Sequence, residues 1–195
     1  MPRSTFSPST SKSGQITSGL GYSIDTTSAN ISVSVNPLAA PLLERRIFLS
    51  FKTDTLPATA EVVRVTLGIN LVSSTAPVGQ PIDWYTEIYA GTFIGASLDA
   101  SDWNGGSFNA YVQNGIFSSG TYDLTDFDPD ICAQINKTGD TDFRISDASN
   151  YDPTKGQYIA TYRKSSFSLG VWYYLPGEQS GDLESMTFRP RAVMA

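Results

Sequence analysis

The alternation of apolar and polar residues between positions 46 and 72 is the clearest pattern in the chain. In its first run Ile47, Leu49 and Phe51 share one face. In its second run, which begins at Glu61, the residues that share one face are Val63, Val65, Leu67, Ile69 and Leu71. Because successive side chains of a strand point to opposite faces, this period of two predicts two half-buried strands. Pro57 lies between the runs and cannot donate a ladder hydrogen bond, so we expect the chain to turn there.

Shorter runs of alternating apolar and polar residues predict further strands. They predict strands near residues 31–35, 82–89, 122–124, 143–145, 157–163 and 166–175, the last with Phe167, Leu169, Val171 and Tyr173 facing inward. Residues 97–121 predict a long loop with one short strand. Asp128 as N-cap, Pro129 at the first helical position and Gly139 beyond predict a single short helix. Roughly eight to ten short strands with this spacing predict an all-β fold, an antiparallel β-sandwich of jelly-roll type with one short helix.

The ends of the chain differ from its middle in composition. Nine of the first twenty residues are Ser or Thr, so this segment can bury little apolar surface by itself. We expect a polar N-terminal arm at residues 1–20, the jelly-roll sandwich at 21–185 and a C-terminal tail at 186–195. The alternative is that both terminal segments pack on their own domain.

Composition bounds the setting and the partners. Only 16% of the residues are charged and the net charge is −6, which argues against a nucleic-acid surface because phosphates require clustered Lys and Arg. No segment approaches the roughly 18 apolar residues of a membrane helix, and the first residues show no signal-peptide core. We expect a virion protein that is assembled in the host cytoplasm and exposed extracellularly. The alternative is a secreted or cell-surface protein.

The residue inventory also limits catalysis. The chain has no His and a single cysteine, Cys132, which excludes histidine-activated nucleophiles and histidine-ligated or cysteine-cluster zinc sites. Glycoside hydrolysis needs two carboxyls that face each other across a cleft, and the glutamates are scattered along the sequence. We therefore expect no enzymatic activity. A carboxylate-based polysaccharide hydrolase or lyase is the least favoured alternative.

Four acidic residues around the predicted helix form the sharpest polar cluster. They are Asp123, Asp126, Asp128 and Asp130, and calcium prefers several carboxylate oxygens on one loop. The twelve-residue spacing of an EF-hand is not met, because Ile131 and Lys137 stand where Gly and Glu are required. Two interpretations stay open: a structural calcium ion as the one expected cofactor, or helix capping by Asp128 with the other carboxylates near the positive end of the helix dipole.

Aromatic residues suggest a possible glycan site. Trp103 lies in a Gly-rich segment with polar neighbours, and exposed Trp and Tyr rings can stack on sugar faces while amides and carboxylates bind hydroxyl groups. The candidate glycan ligands are Trp103, Asp102, Asn104 and Tyr111. The alternative is that these rings fill a core or a subunit interface, as Trp and Tyr often do.

The order of these features resembles the DNRLRE-type jelly-roll modules, which are related to carbohydrate-binding modules. Residues 51–57, which read FKTDTLP, resemble the family's phrase before a Leu-Pro turn, and residues 63–69, VRVTLGI, resemble its following strand. Residues 122–125, YDLT, and 143–145, FRI, resemble its later strands. The similarity covers about residues 45–175. It implies a jelly-roll fold and a role in binding or scaffolding, as in cell-wall and phage structural proteins.

We therefore expect a bacteriophage structural protein: a capsid decoration, head-fibre or tail-associated protein that acts by assembly, with a possible contact to cell-surface glycan. Its expected partners are other virion subunits, with neither nucleic acid nor membrane among them. A closed homo-oligomer is the usual result of such assembly, and we favour a trimer. The alternative function is a carbohydrate-binding module of a cell-surface or polysaccharide-active protein.

Overall fold

The computed structural model describes residues 1–36, 39, 42–75, 86–112, 119–126, 128–147 and 158–178. Side chains at 86, 108–112, 129, 147 and 158 are not described. The strands are β1 (Arg3–Phe6), β2 (Gly14–Ser18), β3 (Tyr22–Asp25), β4 (Asn30–Asn36), β5 (Leu43–Lys52), β6 (Glu61–Ile69), β7 (Leu71–Thr75), β8 (Thr86–Gly91), β9 (Ser107–Val112), β10 (Gly120–Asp123), β11 (Asp140–Asp147), β12 (Tyr158–Arg163) and β13 (Ser168–Tyr174). Four 3-10 helices join them: η1 (Ala100–Asn104), η2 (Leu124–Asp126), η3 (Pro129–Gln134) and η4 (Lys164–Ser166).

Two antiparallel sheets form the sandwich. The smaller sheet has the order β1-β13-β6-β10, and the larger follows β7-β12-β4-β5-β11-β8-β9 with the β2–β3 hairpin attached to β5. The all-β antiparallel sandwich predicted from the alternation is confirmed. The short helix predicted after Asp128 is present as η3, with Asp128 as its N-cap and Pro129 in its first turn. The expectation of one helix was too low, because three further 3-10 segments occur at turns in the described residues.

The main core lies between the sheets. It contains Ile47, Leu49 and Phe51 from β5 and Leu169 and Val171 from β13, all fully buried, and the predicted inward residue Tyr173 packs against it partly buried. In β6 the prediction fails at one end: Val62, and not Val63, packs against this core. The reason is an irregularity in the pairing with β13, where Trp172 lies opposite Arg64 but Tyr173 lies opposite Val62. The extra residue reverses the faces beyond that point, as a β-bulge does.

The predicted second strand, which ran on to Val72, is divided into two. β6 ends at Ile69 in the smaller sheet, and after Asn70 the chain continues as β7, which pairs with β12 in the larger sheet. Leu71 still packs against the main core. The alternation therefore predicted the buried positions, although the chain crosses between the sheets within the run.

The first twenty residues take part in both sheets. β1 pairs with β13, and β2 pairs with β5 and β3. Pro8 forms a bridge to Phe51. Of the two alternatives for the N-terminal segment, the structure shows the one in which it packs on its own domain. The C-terminal tail expected at residues 186–195 lies outside the described residues.

The outer face of the larger sheet is covered by residues 92–106, which we call the covering segment. A second apolar core lies beneath it and contains Ile16, Phe48, Ile94, Leu98 and Trp103, with Phe93 packed against them. β5 is therefore buried on both faces, because Ile47 and Leu49 face the main core while Phe48 faces the second. Gly105 permits this packing, since a Cβ there would lie 2.3 Å from the Phe93 ring. Among the described residues, no helix is long and apolar enough to cross a membrane.

Candidate functional site

Three of the four predicted glycan residues, Asp102, Trp103 and Asn104, lie in η1, whose first turn is stabilised by a capping box. The Asp99 side chain accepts a hydrogen bond from the Ser101 backbone N–H at 2.7 Å, and Asp102 Oδ2 accepts one from the Asp99 N–H at 2.9 Å. These bonds satisfy amide groups that a helix start leaves free. Asp102 is only 4% exposed, and this burial raises the pKa of its carboxyl. Its carboxylate therefore has a structural partner within its own turn.

Trp103 is buried in the second core and does not form an exposed platform. The residue is 8% exposed, its ring lies 5.3 Å from that of Tyr22, and the Arg46 guanidinium lies 4.0 Å from its centroid. A sugar needs a free aromatic face for stacking, which this conformation does not offer. This burial fits the packing alternative for Trp103, and a glycan role for the ring stays a prediction that this conformation does not support.

The other two glycan candidates do not complete a site. Asn104 is exposed, and its Oδ1 accepts a hydrogen bond from Arg46 NH1 at 3.2 Å. The backbone of Tyr111 lies in β9 opposite Glu87, but its side chain lies outside the described residues. Asp102, Trp103 and Asn104 are thus brought together as a structural turn, with no exposed ring among them.

Two arginines of the larger sheet hold the covering segment through a single carbonyl group. Arg46 NH1 donates to the Trp103 carbonyl at 2.8 Å, and Arg144 NH1 donates to the same oxygen at 3.1 Å. Arg46 also forms an ion pair with Glu44 at 2.6 Å, and the Arg144 guanidinium lies 3.7 Å from the Tyr89 ring centroid. Burial lowers the pKa of Arg144, and the positive charge of Arg46 lowers it further.

Asp142 fixes the beginning of the covering segment. Its Oδ2 accepts hydrogen bonds from the backbone N–H groups of Phe93 at 2.8 Å and Ile94 at 2.7 Å. The residue is fully buried, and burial raises the pKa of its carboxyl although these two backbone hydrogen bonds oppose the shift. Asp142 and the two arginines therefore stabilise the covering segment and the second core beneath it. Sequence reasoning missed this role, although Phe48 on the outer face of β5 was a signal for it.

The acidic residues proposed for calcium have separate roles. Asp123 forms an ion pair with Arg64 and accepts a bond from the Thr125 N–H at 3.2 Å. Asp128 caps η3 by accepting from the Asp130 N–H at 2.9 Å, while Asp126 and Asp130 are exposed. Within the described ranges, no group of three or more acidic or cysteine side chains is placed to hold a metal ion. The capping interpretation of Asp128 is confirmed.

A cavity of about 360 Å³ lies between the start of β6 and the segment around η3. It is lined by Ala60, Glu61, Val62, Asp130, Cys132, Ala133, Ile135 and Lys137. Lys137 Nζ donates to the Ala60 carbonyl at 2.8 Å. Burial and the charges of Asp123 and Asp128 raise the pKa of Cys132 to about 11. The thiol is therefore protonated at neutral pH and is a poor nucleophile.

An exposed apolar surface at the β2–β3 hairpin was not foreseen from the sequence. It consists of Leu20, Tyr22, Ile24, Leu42 and Leu43, which we call the hairpin patch. Their exposures are 98%, 51%, 42%, 39% and 41%. Leu20, Tyr22 and Ile24 belong to the hairpin, and Leu43 lies against Gly19 in its turn. Because Ser18 pairs with both Tyr22 and Glu44, Tyr22 and Ile24 share one face of the sheet and Leu43 lies on the other. The other large apolar side chains exposed in the described residues are Met1 and Val72.

The hairpin that carries this patch is held in place on both sides. Tyr22 contacts Trp103 as described, and fully buried Ile16 pairs with Ile24 across the hairpin. At the end of β3, Asp25 Oδ1 accepts hydrogen bonds from the backbone N–H groups of Thr27 at 2.9 Å and Ser28 at 3.0 Å. The pKa of Asp25 is lowered to about 2, mainly because its carboxylate accepts a hydrogen bond from the Ser28 hydroxyl. The patch is therefore presented by an ordered element.

Comparison with known proteins adds nothing to the resemblance to DNRLRE-type modules, which depends only on the residues quoted above. No protein-family model matches this chain, and no curated protein matches its sequence.

Proposed function

We propose that this protein is a structural protein that works by binding other protein subunits, in the virion of a bacteriophage, as a capsid decoration, head-fibre or tail-associated protein. The observation that carries the proposal is the hairpin patch. Contiguous exposed apolar surface on an ordered element is typical of protein interfaces, because water contact with that surface costs free energy until a partner covers it.

The charged side chains of the outer sheet face support the same function. Asp142, Arg46 and Arg144 all bind groups of the covering segment, so their role is to make the sandwich rigid. A rigid surface loses little conformational entropy when a partner binds, which favours association. The best supported mechanism is therefore assembly through a preformed surface.

The virion setting is supported by composition. Charged residues make up 16% of the chain, and small polar residues and Tyr occupy many of the remaining polar positions. Such a surface suits a protein that is made in the host cytoplasm and is exposed to the medium after assembly. The resemblance to modules found in phage structural proteins points the same way.

Particle incorporation tests this function. Virions of the phage that encodes this chain are purified from hosts that supply either the wild-type protein or a variant, and its copy number per particle is measured by quantitative mass spectrometry. We expect the wild type to be incorporated and Leu20→Lys to be reduced at least tenfold. Val72→Lys, which changes an exposed apolar residue of β7 outside the patch, is the matched control and should be incorporated normally. Absence of the wild-type protein from particles would refute the proposal.

A carbohydrate-binding module is the second candidate. The resemblance to DNRLRE-type modules supports it, and a sugar that stacks on Trp172 would have to displace an arginine from its ring. Trp172 of β13 is half-buried on the outer face of the smaller sheet, where the guanidinium groups of Arg3 and Arg64 lie 4.5 and 4.8 Å from its ring centroid. A glycan array with the wild type and Trp172→Ala tests this function: binding that the substitution abolishes would support it, and no binding by the wild type would exclude it for the glycans on the array.

A further inference from the structure

The edge of the larger sheet at β3 has the properties of a pairing surface. In the described part of the chain β3 pairs with β2 alone, so its other side presents backbone N–H and C=O groups. Natural edge strands are usually protected by Lys, Pro, a bulge or a covering element. Residues 22–25, which read YSID, contain neither Lys nor Pro and pair with β2 in regular register. The carboxylate of Asp25 is bound to Thr27 and Ser28.

We propose that β3 pairs antiparallel with β3 of a second copy of this chain, around a two-fold axis at Ser23. This inference rests on the proposed function, since it names the partner that the hairpin patch binds. A two-fold interface is isologous, so each copy offers the same residues to the other.

The register follows from the apolar residues. Residues directly opposite each other in an antiparallel pair lie on the same face of the sheet. An axis at Ser23 places Tyr22 opposite Ile24 of the other copy, Ser23 opposite Ser23, and Asp25 opposite Gly21 just before the strand. An axis between Ser23 and Ile24 would instead place Tyr22 opposite Asp25 and bring the apolar face of one copy beside the polar face of the other.

Charge does not oppose this contact. Between residues 13 and 30 the only charged residue is Asp25. With the axis at Ser23, the two Asp25 residues are four positions apart along the paired strands, about 13 Å at the rise of a β-strand. This distance exceeds the Debye length of about 8 Å at physiological salt, so their repulsion is largely screened.

The size of the patch predicts a weak dimer. The three exposed apolar side chains of the hairpin, Leu20, Tyr22 and Ile24, give each copy on the order of 300 Å², less than half of the ~800 Å² per partner in a standard interface. Association should therefore depend on concentration over roughly the micromolar range. A trimer, which the sequence led us to favour, does not follow from this edge, because pairing of β3 with itself generates a two-fold axis.

Sedimentation-velocity ultracentrifugation across roughly 1–500 µM tests the association. We expect the wild type to shift from monomer to dimer, and Ile24→Lys to stay monomeric because it places two like charges in the interface. Val72→Lys is the matched control, since Val72 is exposed to a similar degree, 46% against 42%, and should dimerise like the wild type. A monomeric wild type, or a trimer unaffected by Ile24→Lys, would overturn the proposal.

Cross-linking tests the register. In a Cys132→Ala background, Ser23→Cys places the new thiol of one copy opposite the same thiol of the other copy. The Cα atoms of such antiparallel partners lie about 4.5–5.5 Å apart, at which distance a disulfide can form. We expect rapid oxidation to a covalent dimer, at least tenfold faster than for the exposed control Ala29→Cys. Equal rates would refute this register.

Together with the particle experiment, these measurements separate two failures. A wild type that never dimerises but enters particles in a Leu20-dependent way would refute the β3 pairing and leave the proposed function standing. A wild type that dimerises as expected but is absent from particles would refute the proposed function alone.

Discussion

Replacement of Trp103 by alanine tests the assignment of this ring to the second core. Trp103 is 8% exposed, and truncation of a buried Trp to Ala costs about 3–5 kcal/mol. The contacts with Tyr22 and Arg46 belong to this loss, at about 0.5–1.5 kcal/mol for an aromatic pair and about 0.5–1 kcal/mol for a cation–π contact. Because the second core lies near the surface and can partly collapse, we expect a loss of about 3 kcal/mol in the free energy of unfolding.

Urea denaturation followed by far-UV circular dichroism measures this change, which corresponds to a fall in melting temperature of roughly 10 °C for a chain of this size. Hydrogen exchange gives a local readout: the N–H groups of Phe93 and Ile94 should exchange faster in Trp103→Ala. Trp172→Ala on the opposite sheet is the control and should leave their exchange unchanged. A loss below about 1 kcal/mol, together with loss of glycan binding, would refute the burial argument and restore Trp103 as a ligand residue.

Substitutions at three further residues test other parts of the structure. Asp142→Ala should reduce the free energy of unfolding by about 2–4 kcal/mol, since it leaves the N–H groups of Phe93 and Ile94 buried without a partner, whereas Asp142→Asn keeps an acceptor. Because the folded-state pKa of Asp142 is raised, the stability of the wild type should fall relative to Asp142→Asn as the pH rises through that pKa. Urea midpoints between about pH 3 and 8 measure this difference. The pH dependence of stability at Asp25 should have the opposite sign, because its pKa is about 2 in the folded protein against an ordinary value of 3.8. The greater stability of the wild type over Asp25→Asn should be complete above pH 4 and should disappear as the pH falls towards 2. Gly105→Ala should cost roughly 1–3 kcal/mol by overpacking against the Phe93 ring, and a melting temperature equal to that of the wild type would contradict the close approach seen there.

The main core was largely predictable because a strand with one buried face has apolar and polar residues that alternate along the sequence. Ile47, Leu49 and Phe51 were assigned correctly on this basis, as were Leu169 and Val171. Val63 was assigned to the wrong face because a bulge is set by pairing with a distant strand, and the run itself contains no signal for it. The crossing at Asn70 was missed for the same reason, since Leu71 continues the alternation although it belongs to the other sheet.

The surroundings of Trp103 could not be derived from local patterns. The covering segment is rich in Gly and polar residues, which predicts a loop, and its packing depends on Arg46, Arg144 and Asp142 from strands that are distant in sequence. Phe48 was the available signal, because an aromatic residue on the supposedly solvent-facing side of β5 requires a cover. The hairpin patch was missed because Leu20, Tyr22 and Ile24 alternate as in any half-buried strand, and the sequence does not say that their face is left open.

The pairing of β1 with β13 has a mechanical consequence. Arg3 lies opposite Trp172, and the Pro2 carbonyl accepts a hydrogen bond from the Tyr173 N–H at 3.2 Å, so residues 1 and 174 emerge side by side at one corner of the sandwich. Tension applied between these two points would separate β1 from β13 by breaking their backbone hydrogen bonds one after another, which requires little force. Tension directed along the strands must break all these hydrogen bonds at once.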